Sequence, residues 1–214
     1  MLYLTRTQGM AALSRYNRPA VLGLDAQAVA IFSNGLGASP SEIERQLEFV
    51  LHRYGGLAHD PRRGSPASEI AQAVHQYRDA WIDLLVGASA FHLETAEWNF
   101  AVPEPVHFEC FGLLRKVGST AQIRCMTKFI HLLRPDAFPV VDSWIGAALD
   151  VGLNHNSGKD AYRDFVHRFL DFVTKHRETL LSLKSSEKPS SWSDIKLVDK
   201  VLLCRRAAEL PVAA

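Results

Sequence analysis

Residues 126–149 read MTKFIHLLRPDAFPVVDSWIGAAL: a helix, a loop punctuated by two prolines, and a second helix opening on Asp142. Proline fixes φ and stops a helix, so Pro135 ends the first helix and Pro139 stiffens the loop before Asp142. Phe138, Val140 and Val141 are the apolar anchors that would hold this loop in a core. An aspartate at the mouth of a helix accepts backbone N–H bonds and gains from the helix dipole. Capping explains Asp142 fully. A carboxylate held there by a rigid loop is also oriented for general-base or electrostatic work.

On a helical wheel of residues 120–133, Ile123, Met126, Ile130 and Leu133 share one side, broadened by Phe129 and Leu132. Arg124, Lys128 and His131 fall on another side at i, i+4 and i+7. Between Cys110 and Pro135 there are five Lys/Arg and no Asp/Glu. This is either a solvated face whose cations relieve the helix dipole or a stripe that contacts phosphate. Lys128 borders the apolar side; if buried, its amine would lose protons more readily and become a nucleophile. His131 reads as a hydrogen-bonded core or border residue, or as a member of the stripe.

Helix signals run through the rest of the chain. Ser39, Pro40 and Glu42 form a capping box, Ile43, Leu47, Val50, Leu51 and Tyr54 repeat at helical spacing, and Gly55 ends the run. SPASEIAQAVHQYRDAWIDLLVG, residues 65–87, repeats that grammar as one helix behind Ser65 and Pro66. Residues 88–106 mix aromatics with Pro103 and Pro105 and mark a junction between two lobes. HFECFGLLRKVG reads as a short helix ending at Gly118, after which Ser119 and Gln122 form the capping box of the next helix. A long amphipathic helix turns Phe165, Phe169, Phe172 and Val173 inward, and WSDIKLVDKVLLCRRA closes the chain as a last helix. Asp199 lies there amid apolar residues, which predicts a buried salt bridge to Lys128 or Arg124. No alternating run demands a sheet. The prediction is an all-α, multi-helical, two-lobed single domain spanning residues 1–214 with seven to nine helices.

Composition limits the function. The chain is 47% hydrophobic and carries a net charge of +1, so any affinity for polyanions must come from local charge. Three scattered cysteines read as buried small hydrophobes in a reduced compartment. None of the nine histidines pairs with a cysteine or carboxylate at metal-binding spacing, so no metal is expected. Arg6, Arg15 and Arg18 interrupt the N-terminal stretch, and no segment approaches the roughly 20 apolar residues of a membrane span. A cytoplasmic protein without a membrane partner is expected.

LLRPDAFPVVDSWIGAAL, residues 132–149, resembles the end of the helix-hairpin-helix DNA glycosylase domain: an apolar helix, a P-x-x-x-P-V-D loop and an aspartate opening the next helix. In that family the aspartate is catalytic and sits beside the extruded nucleotide, a role the resemblance carries to Asp142. The upstream LLRKVGSTAQI resembles the family's hairpin, whose backbone N–H groups bind a DNA phosphate; Lys116, Val117, Gly118, Ser119 and Thr120 would occupy that turn. The sequence departs from the family in five places, one of them a helix from Thr120 to Pro135 that is about one turn longer than expected. Lys116 replaces the first hairpin glycine. Ser119 and Thr120 stand where bifunctional members carry a lysine nucleophile. PVVD has one residue more than PVD. No four-cysteine loop comes after it, so no iron–sulfur cluster or other cofactor is implied. TKFIHLLRP followed by Asp-Ser is also similar to uncharacterised bacterial proteins distantly related to this fold. In those a lysine and a histidine, Lys128 and His131 here, accompany the aspartate.

The resemblance implies a diverged base-excision repair enzyme that hydrolyses the N-glycosidic bond of a damaged or modified base in duplex DNA. Asp142 would stabilise the sugar cation or activate water, and Lys128 would be nucleophile or phosphate contact. Arg115, Lys116, Gly118, Ser119, Arg124 and His131 would touch nucleic acid. Trp98, Phe100 and Trp144 would supply the apolar pocket and wedge that base flipping needs. Two other readings stay open. One is a nucleic-acid-binding module without chemistry. The other is a helical protein–protein or defence component that uses the EKPSSWSDIK loop and Trp192 as its contact.

Overall fold

The computed structural model describes residues 4–54, 66–117, 120–154, 158–188 and 192–209. Among them are ten α-helices and no strand, so the chain is all-α. In order they are α1 (Arg6–Tyr16), α2 (Pro19–Phe32), α3 (Pro40–Glu48), α4 (Ala67–Gln76), α5 (Arg78–Gly87), α6 (Pro105–Cys110), α7 (Ala121–Leu133), α8 (Ser143–Ala148), α9 (Lys159–Glu187) and α10 (Asp194–Glu209). One hydrophobic cluster draws residues from all ten. No helix among the described residues is long and apolar enough to cross a membrane.

Helix α7 is the axle of this cluster. Every one of its residues except Arg124 is buried. Phe129 makes edge or tilted ring contacts with Phe32 of α2, Trp81 of α5 and Phe111 at centroid distances of 5.7–6.1 Å. A helix that is covered on all sides has no solvated face. The expected basic face of α7 is therefore corrected: Lys128 and His131 are interior residues, and only Arg124 lies part way out.

Helix α3 starts as its sequence predicts. The Glu42 carboxylate accepts from the Ser39 N–H at 3.0 Å, and the Ser39 hydroxyl accepts from the Glu42 N–H at 3.4 Å. Its end differs. A π turn, Phe49–Arg53, widens the last coil, and the Tyr54 N–H bonds back to the Phe49 carbonyl at 2.9 Å. Such a widened coil re-aims the side chains after it; here it presents Arg53 and Tyr54 to a cavity that α2, α7 and α10 also line. Gly55 and Ser65 lie outside the described residues.

The single helix expected over residues 65–87 is two. Tyr77 leaves helical geometry (φ −104°, ψ 29°) and its N–H closes α4 on Ala73 and His75. The bend lets the Arg78 guanidinium donate to the carbonyls of Leu36 and Gly37, in the turn between α2 and α3. Gly37 is required in that turn, because a Cβ would meet the backbone of Glu42 and Ile43 at 2.8–2.9 Å.

Residues 88–104 run without a helix, yet Phe91 and Leu93 belong to the common core. The expected short helix after them is broken into α6 and a 3-10 turn, Gly112–Lys116. Gly118 and Ser119 lie outside the described residues, and Thr120 is the N-cap of α7. The expected capping box of Ser119 and Gln122 therefore falls outside the described residues; the Gln122 amide donates to the Phe108 carbonyl at 2.5 Å and accepts from Arg115 at 2.9 Å, tying α7 to α6. In α9, Phe165, Phe169, Phe172 and Val173 are buried as their spacing predicts.

Candidate functional site

The loop between α7 and α8 is pinned along its length. Phe138 and Val141 are fully buried, and the Phe138 carbonyl accepts from His131 Nδ1 at 2.7 Å. The Val140 N–H donates to Asp199 Oδ2 at 3.3 Å and the Val141 N–H to the Thr127 hydroxyl at 3.1 Å. Asp142 comes next in extended geometry (φ −114°, ψ 149°) as the N-cap of α8, its Oδ1 accepting from the Trp144 N–H at 2.9 Å. Its other oxygen, Oδ2, faces two cations of α7: Arg124 Nε at 3.8 Å and Lys128 Nζ at 4.0 Å. The lysine and the aspartate of residues 126–149 thus meet.

They meet at a cavity of about 320 Å3, a volume at the lower end of small-molecule sites, which run from about 300 to 1,000 Å3. Lys128, His131 and Asp142 lie on one side of it, and Lys196, Asp199 and Lys200 of α10 on another. Asp25 of α2 and Arg53 and Tyr54 of the π turn complete the polar lining, while Val21, Leu24 and Ile145 are among the apolar wall residues. Asp25 is fixed by two partners: Trp192 Nε1 donates to its Oδ2 at 3.0 Å, and Lys196 Nζ is ion-paired to its Oδ1.

Burial sets the chemistry of several groups. Lys128 is 7% exposed, and its amine is held below the usual lysine range by desolvation, partly offset by Asp142. His131 is enclosed and neutral, pushed down to about 3 by burial and then by Lys196. Its Nδ1 must carry the proton, since it meets a carbonyl oxygen. Asp199 is 3% exposed; burial pushes its carboxyl up to about 8, so it is mainly the neutral acid at pH 7. Its Oδ1 has no hydrogen-bond partner among the described residues. Two carboxyls of one cavity therefore stand in different settings, Asp142 beside cations and Asp199 enclosed, which is the arrangement that separates acid from base roles.

The other expected site residues scatter. Trp98 and Phe100 are absent from the cavity lining; they stack with Phe91, Phe169 and His167 in an aromatic cluster against α9. Trp144 is 45% exposed beside Asp142. Arg115 is on the surface, bonded to Glu109 at 2.6 Å as well as to Gln122, and Lys116 is exposed next to it. His131 is an interior residue that lines the cavity and does not belong to a solvent-facing basic stripe. Asp199 is buried as expected, but its partner is the Val140 N–H; Lys128 and Arg124 face Asp142 instead. Trp192, 2% exposed, is a core residue and offers no contact surface. Among the described residues no three His, Cys, Asp or Glu side chains are grouped to hold a metal ion.

Sequence reasoning missed Asp25, Arg53, Tyr54, Lys196 and Lys200. A signal existed for some of them. Lys196, Asp199 and Lys200 recur at i, i+3 and i+4, one face of α10, between the apolar residues of DIKLVDKVLL. Asp25 is the one charge in the apolar run of α2. Comparison with protein-family models, with characterised proteins and with solved structures returns no match for this chain.

Proposed function

We propose that this protein is a diverged helix-hairpin-helix DNA glycosylase-like enzyme, and that the cavity receives a nucleotide whose N-glycosidic bond is hydrolysed beside Asp142. The observation that carries the reading is the meeting of Asp142 at the mouth of α8 with Lys128 of α7 on one cavity lined by apolar walls. As the bond from C1′ to the base nitrogen breaks, its electron pair leaves with the base and positive charge develops on the sugar. The Asp142 carboxylate, fixed by its cap bond, stabilises that charge and takes a proton from the water that adds to C1′. Stabilisation of this kind by a preorganised group is worth roughly 10²–10³ in rate. Lys128 and Arg124 orient the carboxylate, with Lys128 also within reach of the reacting end of the cavity.

The partner in this reading is duplex DNA carrying a damaged or modified base, and its excision is the repair step. The test is release of free base from a panel of such duplexes by the wild type and by Asp142→Asn. Asparagine keeps the capping oxygen and removes the charge. Turnover should fall at least about 10²-fold while binding to the same duplexes persists. Undiminished release by Asp142→Asn would overturn the assignment. Salt-sensitive binding with no release by either protein would favour the module without chemistry.

A further inference from the structure

The charges around the cavity do not cancel. Asp25 is taken by Lys196 and Trp192. Asp142 is shared by the Trp144 N–H, Arg124 and Lys128. Asp199 is the enclosed, mainly neutral acid on the Val140 N–H. Two cations of the lining are left over. Lys200 has no ion pair or hydrogen bond among the described residues; its Nζ stands 4.6 Å from the centroid of the Tyr16 ring. Arg53, at the exposed rim, has none among them either. Lys200 is half-buried and only partly compensated: desolvation and the neighbouring Lys196 pull its amine down to about 8 against the opposing pull of Asp25 and Asp199, which leaves it mostly charged at pH 7. A cation drawn out of water toward like charges costs stability unless an anion joins it.

We propose that Lys200, assisted by Arg53, is a phosphate-binding pair of the cavity, and that the site takes a phosphorylated nucleotide rather than a bare base or nucleoside. This deepens the proposed nucleotide chemistry and rests on it for the ligand's base and sugar. The chemistry fits both ends of such a ligand. An ammonium and a guanidinium fork match the charge and oxygens of a phosphate group. Val21, Leu24 and Ile145, which line the same cavity, suit the flat, apolar faces of a sugar and base. The phosphate belongs either to a free nucleoside monophosphate or to the strand from which the nucleotide is extruded.

Calorimetric titration of the full chain in phosphate-free buffer tests this. The probes are inorganic phosphate, a nucleoside, its 5′-monophosphate and a short single-stranded oligonucleotide. The proteins are the wild type, Lys200→Gln, Arg53→Gln and, as a distant surface control on α9, Lys175→Gln. The phosphate-bearing probes should bind the wild type at least tenfold tighter than the nucleoside. Lys200→Gln should remove that advantage, Arg53→Gln should reduce it, and Lys175→Gln should leave it intact. A cooperative thermal melt shows that Lys200→Gln is folded. A monophosphate that outcompetes the oligonucleotide assigns free nucleotide as the ligand; the reverse order assigns the strand. Equal affinity for nucleoside and monophosphate, a phosphate advantage that survives in folded Lys200→Gln, or no binding of any phosphate-bearing probe overturns the proposal. Base release measured in parallel separates the two ideas. Release without phosphate-dependent binding would remove the phosphate pair and keep the glycosidic chemistry. Phosphate-dependent binding lost in Lys200→Gln, with no release from any duplex, would do the opposite.

Discussion

Asp199 shows what burial does to one carboxyl. Burial makes it keep its proton up to about pH 8, against an ordinary value of 3.8, although the Val140 N–H bond favours the ionised form. Between those values the folded state binds a proton that the unfolded chain has released. The contribution of Asp199 to stability is therefore complete below about pH 4 and is lost as pH rises toward 8. Asparagine resembles the protonated acid and does not titrate. Asp199→Asn should match the wild type in urea melts at pH 3 and exceed it increasingly up to pH 8.5. A variant less stable than the wild type at pH 8.5 would contradict the buried-acid description. His131 runs the other way. Its folded value is depressed to about 3, so its contribution is present above about 6.5 and is lost as pH falls toward 3. His131→Gln should flatten the acid limb of the stability profile, read from the same melts at pH 4–6.

At the scale of elements, α7 and the cap of α8 carry separable loads. Phe129 packs fully buried at the centre of the aromatic cluster, so Phe129→Ala should cost about 3–5 kcal/mol, measured by chemical denaturation. Asp142→Ala removes both the cap, worth about 1 kcal/mol, and the anion facing Lys128 and Arg124, so it should be the more destabilising change, while Asp142→Asn keeps the cap and loses only the ion pairs. The elements were largely legible in the sequence. The capping box at Ser39 and Glu42, the proline-bounded loop after α7 and the aromatic spacing of α9 are local signals, and each is realised locally. The failures are tertiary. Tyr77 breaks a good helical pattern, and the break coincides with a long-range contact of Arg78 to the turn before α3 that no local signal encodes. A wheel drawn for α7 separates polar from apolar residues, but neighbours cover both sides, so Lys128 and His131 face a cavity rather than water. Lys128 and Asp142 sit within one short stretch of sequence, so their pairing could be read there; Asp25, Tyr54 and Lys200 come from three other regions that only the packed chain brings together.

For the whole molecule, a net charge of +1 means that no global field draws nucleic acid in. In the proposed function, binding would rest on the few cations at the cavity and around it. If two or three phosphates are neutralised, the affinity for duplex DNA should fall with salt at a slope of about −2 to −3 on a log–log plot. A much steeper slope would place the binding face elsewhere.

Whether Asp142 stabilises a cationic sugar can be tested without knowing the base. Two duplexes are compared, one with a cationic pyrrolidine in place of a single deoxyribose, the other with a neutral tetrahydrofuran there. A site built for the charged transition state binds its mimic at least about 10²-fold tighter than the neutral ring, and Asp142→Asn should lose that preference while holding the neutral duplex as before. Equal affinity of the wild type for the two duplexes would contradict a catalytic Asp142 and leave it as the cap of α8.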